Sequence, residues 1–181
     1  MTATSPDTFA MIEPLDPADY DAAIDRLADL VLDSVASGAG VNFLRGVTHD
    51  EAADWWRARA DSIVEGTSTL FVAVDGQGRI VGTTLLIRSR NPNSPHRAEI
   101  AKVLVHTAAR RRGLGRRLME AAESEARAEG RWLLILDTVT GSEAEALYRS
   151  MGWHELGIVP NHSLLPDGTP APTTFFWKDL R

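Results

Sequence analysis

Apolar positions recur along the chain in two rhythms, one helical and one alternating or continuous, and glycine or proline marks most of the changes between them. Residues 9–15 form a short apolar run ended by Asp16-Pro17, a pair suited to the N-cap and first position of a helix. Tyr20, Ile24, Leu27, Val31 and Val35 follow near helical spacing until Gly38-Ala39-Gly40 stops the pattern, which predicts a helix to about Val35. Thr48 with Glu51 makes a capping box that opens a second helix through Trp55, Trp56, Ile63 and Val64 to Gly66. Residues 69–75 and 79–89, joined by Gly76-Gln77-Gly78, read as a β-hairpin, and Asn91-Pro92-Asn93-Ser94-Pro95 as an exposed loop.

The second half repeats the alternation. An apolar, partly β-branched segment over 98–105 predicts a strand, and Leu114, Leu118, Ala122 and Ala126 then share one face of a helix that ends at Gly130. The continuous apolar run 132–138 reads as a buried strand. Ser142 with Glu145 is a second capping box, and the helix it opens closes on Gly152. Segments 153–159 and 173–178 read as two final strands, with the Pro-, Asp- and Gly-rich stretch 160–172 between them as a loop. The expected order is strand, two helices, three strands, helix, strand, helix, two strands: a mixed α/β (α+β-like) chain around a central sheet.

Composition narrows the possibilities. At 181 residues and 19.7 kDa the chain suits one domain spanning residues 1–181 with one full-sized core, residues 1–8 forming a flexible lead-in. That lead-in lacks the basic and apolar regions of a secretory signal, no apolar run approaches a membrane span, and the expected location is cytoplasmic. The absence of cysteine excludes disulfides, thiolate zinc sites and cysteine nucleophiles. His49, His96, His106, His154 and His162 show no ligand spacing, so no metal is expected and each histidine reads as a surface or loop residue. A net charge of −6 disfavours nucleic acid as a partner, and the last strands, as sheet-edge candidates, leave either a monomer or a homodimer.

Against that acidic background the run from Arg110 to Arg117 is the local anomaly. It falls between the 98–105 strand and the following helix, and positive side chains at a helix N-terminus oppose the macrodipole. An anion docked there removes the conflict, because it takes the orphan N–H groups of the first turn and is neutralised by the arginines. Gly113 and Gly115 allow close backbone approach to such an anion. The glycines are not followed by Lys-Ser or Lys-Thr, so this is not a nucleotide P-loop.

Arg110-Arg111-Arg112-Gly113-Leu114-Gly115, between strand and helix, resembles the Gln/Arg-x-x-Gly-x-Gly/Ala motif of the GCN5-related N-acetyltransferase (GNAT) superfamily. The block from Ala144 through Leu147-Tyr148 to Gly152-Trp153 resembles that family's Ala-x-x-Leu-Tyr-x-x-x-Gly-Phe block. The segment Asp137-Thr138 to Gly141-Ser142, with the carboxy-terminal Pro-Asp-Gly and Thr-Thr-Phe-Phe, is similar to the tabtoxin-resistance type of acetyltransferase. The resemblance implies a mostly antiparallel twisted sheet, splayed between its fourth and fifth strands, with helices on both faces. It implies acetyl-CoA as co-substrate, its pyrophosphate on the backbone of Arg111 to Arg116 with Arg110 and Leu114 alongside, and its pantetheine arm along Val103, Leu104 and Val105. Where many members have an asparagine that holds the cofactor this chain has Gly141, and Ser142 is the candidate to replace that contact, its alternative being a plain N-cap.

The same resemblance implies direct attack of an amine on the thioester, with Tyr148 giving a proton to the departing sulfur. A core tyrosine with a satisfied hydroxyl is the alternative for Tyr148. Asp137, at the end of an apolar strand beside Leu136, is expected to be desolvated toward the pKa of a useful base, with Glu99 on the adjacent strand as its competitor. Both also suit structural roles, Asp137 in loop hydrogen bonds and Glu99 as partner of Arg97 or Lys102. Phe43, Trp56, Asp137 and Phe175 are candidate acceptor contacts; of Trp55 and Trp56 one is expected in the core. The expected acceptor is a primary amine of a small molecule, of the amino-acid or dipeptide toxin or antibiotic kind. A protein lysine or α-amine, or a CoA-binding module without turnover, are the other two readings.

Overall fold

The structure, a computed structural model, describes residues 10–181. Phe9 and the lead-in expected over residues 1–8 lie outside the described residues. Strand β1 (Met11–Pro14) leads through a single 3-10 turn into α1 (Tyr20–Ala36), with the Asp16 side chain capping the turn at Ala18 N. The Thr48–Glu51 capping box opens α2 (His49–Arg57) as expected. The single long helix expected to Gly66 is instead two, because the chain breaks at Ala58 and Arg59 before the short α3 (Ala60–Val64). Arg59 accounts for the break: its guanidinium folds back 3.0 Å above the Trp55 ring and donates to Trp55 O at 2.6 Å.

Strands β2 (Ser68–Val74), β3 (Ile80–Arg88) and β4 (Arg97–Val105) form an antiparallel meander, after which α4 (Leu114–Ala128), β5 (Leu133–Val139), α5 (Glu143–Ser150), β6 (His154–Leu164) and β7 (Pro170–Asp179) follow. One seven-stranded sheet results, in the order β1-β2-β3-β4-β5-β7-β6. The last hairpin is longer than the sequence suggested. Its strands pair as far as Leu164 with Pro170, so most of the expected 160–172 loop is strand, interrupted by an irregularity between Val159 and Ser163.

Alternation along β2 shows how the sheet separates two cores. Phe71 and Ala73 face α4 and share one core with Leu118, Met119, Ala122 and Tyr148, whereas Leu70 and Val72 share the opposite core with Leu27, Val31, Ala52 and Trp56. Each such large side chain, fully buried, contributes about 1.5–3 kcal/mol of transfer free energy. The parallel β4–β5 contact is the one break in this continuity. It spans only Arg97 with Leu133, Ala98 with Leu134 and Glu99 with Ile135, and beyond Glu99 the two strands part. No helix among the described residues is long and apolar enough to cross a membrane.

Candidate active site

The parted strands open a cleft of about 1320 Å³ that reaches from the N-terminus of α4 to Tyr148, Asp137 and Glu99. Its floor is β4 beyond Glu99, where the side of the strand that β5 has left is free to pair with something else.

At the α4 end, the chain is set by Asp33 of α1, whose carboxylate accepts from Thr107 N at 2.8 Å and Thr107 Oγ1 at 2.7 Å. Arg110 adds a second tie, donating to Val105 O at 3.0 Å and to Ser37 Oγ at 2.9 Å. Arg111 (φ 65°) and Gly113 (φ 75°) then adopt left-handed conformations two residues apart, and Gly113 is an N-cap without a side-chain hydrogen bond. Backbone N–H groups presented in this way make an anion-binding concavity at a helix N-terminus. The two glycines differ in what they provide. At Gly113 an added Cβ would meet nothing within 4 Å, so the positive φ is the constraint; at Gly115 it would stand 3.2 Å from Leu147 Cδ2, so the missing side chain leaves room for the tip of Leu147 against α4.

The arginines divide. Arg110, Arg111 and Arg116 line the cleft, Arg111 paired with Glu143 at 3.2 Å and Arg116 donating to Ser150 Oγ at 2.8 Å. Arg112 does not line it. Its side chain faces a separate recess with Arg26, Asp29 and Arg79, which corrects that side chain as a cofactor contact and leaves only its backbone at the turn. Which way a side chain leaves a left-handed turn depends on the fold around it, and motif spacing carries no such information.

At the other end, Tyr148 is buried, packed against Phe176 and Trp153, and lines the cleft. Burial, and secondarily the negative charge of Asp137, hold its phenol well above its usual pKa, so it keeps its proton. Asp137 also lines the cleft but is exposed, which overturns the expectation that it is desolvated. Glu99, although its surface is exposed like that of Asp137, is the carboxyl that is shifted upward, by desolvation first and by the charge of Asp137 second, opposed by Lys102 and Arg97.

Ser142 lines the cleft, and its Oγ accepts from Glu145 N at 3.1 Å as an N-cap. The reciprocal half of the expected capping box is missing. The Glu145 carboxylate turns instead to Gly141 N, Thr174 Oγ1 and Arg149, and holds the β5–α5 turn from its buried side. That use of Glu145 went unseen because its partner Thr174 is remote in sequence.

Among the acceptor candidates, Phe43 lines the cleft and meets Trp55 edge-on at 6.2 Å. Trp56 is fully buried between α1 and the sheet and cannot touch a ligand; Trp55 is the partly exposed neighbour. Phe175 stands behind His162, their rings perpendicular at 5.2 Å, and it is His162 that lines the cleft. Trp56 and Phe175 are therefore corrected, and His162 and Lys102 are among the cleft residues to which the sequence assigned no part in the site. Lys102 lines the cleft with its Nζ 4.5 Å above the Trp55 ring.

A mixed sheet parted between β4 and β5 over a left-handed glycine turn is the GNAT fold. Residues 66–155 match the family model described as acetyltransferase (GNAT) domain, and the chain belongs to the GNAT superfamily. Among similar solved structures is a GCN5-related N-acetyltransferase from Kribbella flavida, 23% identical, with a TM-score of 0.76 over 97% of this chain and 100% of that one. A phosphinothricin acetyltransferase (Pat) from Sinorhizobium meliloti, in complex with AcCoA, is 20% identical, with a TM-score of 0.75 over 96% of this chain and 89% of that one. A ribosomal-protein-alanine N-acetyltransferase from Brucella melitensis is 25% identical, with a TM-score of 0.73 over 94% and 99%.

Proposed function

We propose that the protein is an acetyl-CoA-dependent N-acetyltransferase that acetylates a primary amine of a small molecule. The observation that carries this reading is the single cleft joining an uncapped, glycine-turned helix N-terminus to Tyr148 and Asp137 between two parted strands. A long ligand with an anionic group at one end and its reactive group at the other fits that geometry. The acetyl-CoA held by the Sinorhizobium protein is such a ligand. Bound here, it would supply an acetyl group already activated as a thioester.

The chain's own groups then have distinct tasks. The backbone at Arg111 to Gly115 takes the pyrophosphate, with Arg110, Arg111 and Arg116 supplying charge from the cleft wall. Val103, Leu104 and Val105 offer main-chain donors and acceptors to the pantetheine arm along the edge that β5 vacates. Tyr148, kept protonated by burial, holds the proton that a leaving thiolate needs. Asp137, open to the cleft, is the group that would bind the incoming ammonium and take its proton, with Glu99 beside it on β4.

Release of CoA thiol, followed with a disulfide reagent across a panel of amines, tests the reading. Amino acids and dipeptide toxins of the tabtoxin kind are expected to support turnover. The Brucella neighbour supports a second reading, acetylation of protein α-amines, so peptides with free N-termini belong in the same panel; turnover on peptides alone would replace the small-molecule reading. Tight acetyl-CoA binding without turnover on any amine would leave a CoA-binding module.

A further inference from the structure

Lysine is nearly absent from this protein. The 19 basic side chains of the chain are arginine except at Lys102 and Lys178. Lys178 has a structural task, bridging the buried Glu123 carboxylate at 2.7 Å and Met151 O at 2.9 Å. Lys102 has none of that kind. It makes no ion pair among the described residues, and its Nζ has one long hydrogen bond, 3.4 Å to Val41 O.

The backbone at Lys102 is unusual as well. Its φ is +50°, a left-handed conformation inside a strand, at a bulge where β3 pairs Thr83 with Leu104 and Leu85 with Ala101. Thr83 Oγ1 fastens the bulge by donating to Lys102 O at 2.9 Å. A side chain other than glycine is retained in such a conformation where the surroundings enforce it, and these places cluster at functional sites. Here the bulge sends the side chain into the cleft next to Val103.

We propose that Lys102 is a self-acetylation site, its Nζ accepting the acetyl group of acetyl-CoA bound in the same cleft. This rests on the acetyl-CoA reading above and goes beyond it, since the acceptor is the protein itself. The uncharged amine attacks the thioester carbonyl carbon; a C–N bond forms, the C–S bond breaks, and CoA departs as the thiol with the proton that nitrogen loses. Arginine would stay protonated and could not do this, which gives a chemical reason for lysine at this position in an arginine-rich chain. The charged groups around it are Arg59 from the α2–α3 junction, Asp137 from β5 and Glu99 from β4 itself. Burial, with Arg59 second, pushes the ammonium down to about 8 against the pull of the two carboxylates. The product is a neutral amide on the Trp55 side of the cleft, occupying space that an acceptor amine would need.

The test uses the full chain with acetyl-CoA and no acceptor amine, between pH 6.5 and 9. The expected result is a gain of one acetyl group by intact mass, mapped to Lys102 and not Lys178, with CoA release that stops near one equivalent. The rate should rise through about pH 8, and Lys102→Arg should abolish the mass gain at that position. The urea-unfolded chain given acetyl-CoA is the control for unguided acylation, and it should lose the preference for Lys102 over Lys178. Calorimetry of acetyl-CoA binding separates the failures. A chain that binds acetyl-CoA but gains no acetyl group on Lys102 at pH 8.5 overturns this proposal and leaves the proposed function standing. A chain that does not bind it overturns both.

Discussion

Trp55 and Trp56 are adjacent in the chain, their rings 4.9 Å apart and nearly perpendicular, and they belong to different environments. Trp56 is fully buried among α1, α2 and the sheet, and Trp55 lies between Arg59 and Lys102. Trp56→Ala should therefore destabilise the fold by about 3–5 kcal/mol, read as a shift of the urea midpoint. Trp55→Ala should cost much less stability and should raise the KM for the acceptor amine. Equal destabilisation by both variants would contradict the assignment.

Tyr148→Phe removes one oxygen from the cleft and leaves the packing against Phe176 and Trp153 in place. If its hydroxyl protonates the leaving thiolate, kcat should fall about 100-fold or more, while acetyl-CoA affinity by calorimetry stays the same. An unchanged kcat would leave Tyr148 as a core residue only.

Gly113→Ala places a Cβ on a backbone with φ 75° where nothing crowds it, so its effect isolates conformation from space. Stability should fall by about 1–2 kcal/mol, the cost of a left-handed L-residue. If the turn shifts to relieve that strain, free CoA and acetyl-CoA should weaken together, because the acetyl group is not what the turn holds.

Lys102 makes stability depend on pH with a definite sign. Its folded pKa, about 8, lies below the 10.5 of an ordinary lysine, so the unfolded chain binds more protons between those values and stability rises as pH rises through that window. Lys102→Met should lack this rise and be more stable than the parent below pH 8. The pH dependence of the difference in Tm between the two cancels the contribution of Tyr20, which burial pushes up to about 12, and leaves that of Lys102.

Lys178→Met leaves Glu123 buried with Trp153 Nε1 as its remaining partner. Removal of one member of a buried pair strands the other charge, and about 3 kcal/mol should be lost. Adding Glu123→Gln should restore part of it, a coupling that a double-mutant cycle measures.

The parts legible in the sequence were those determined by neighbours along the chain. Helical spacing from Tyr20 to Val35, the Thr48–Glu51 box and Gly113 at the head of α4 all appear where residues a few positions apart decide the conformation. What escaped depends on distant partners. The 160–172 segment has a loop's composition, yet β6 continues to Leu164 because β7 is there to pair with it, leaving only the turn before Pro170. The bulge at Lys102 exists only in relation to β3, and Tyr148 and Asp137 come together only once α5 has packed on β5. Chemistry-bearing residues could thus be named from motif, whereas the choice of Trp55 over Trp56 and the turning away of Arg112 required the fold.

Among the described residues, three residue pairs join β4 to β5 and make the strand-pairing seam between a four-strand half, β1 to β4, and a three-strand half, β5 to β7. Mechanically the sheet is hinged at Arg97–Glu99 and unlaced above it. A ligand lying along Val103 to Val105 acts as a temporary strand, lacing the halves from the open end. Amide exchange in β4 and β5 beyond Glu99 should slow on acetyl-CoA binding far more than in the β2–β3 pair, which is already stitched along its length.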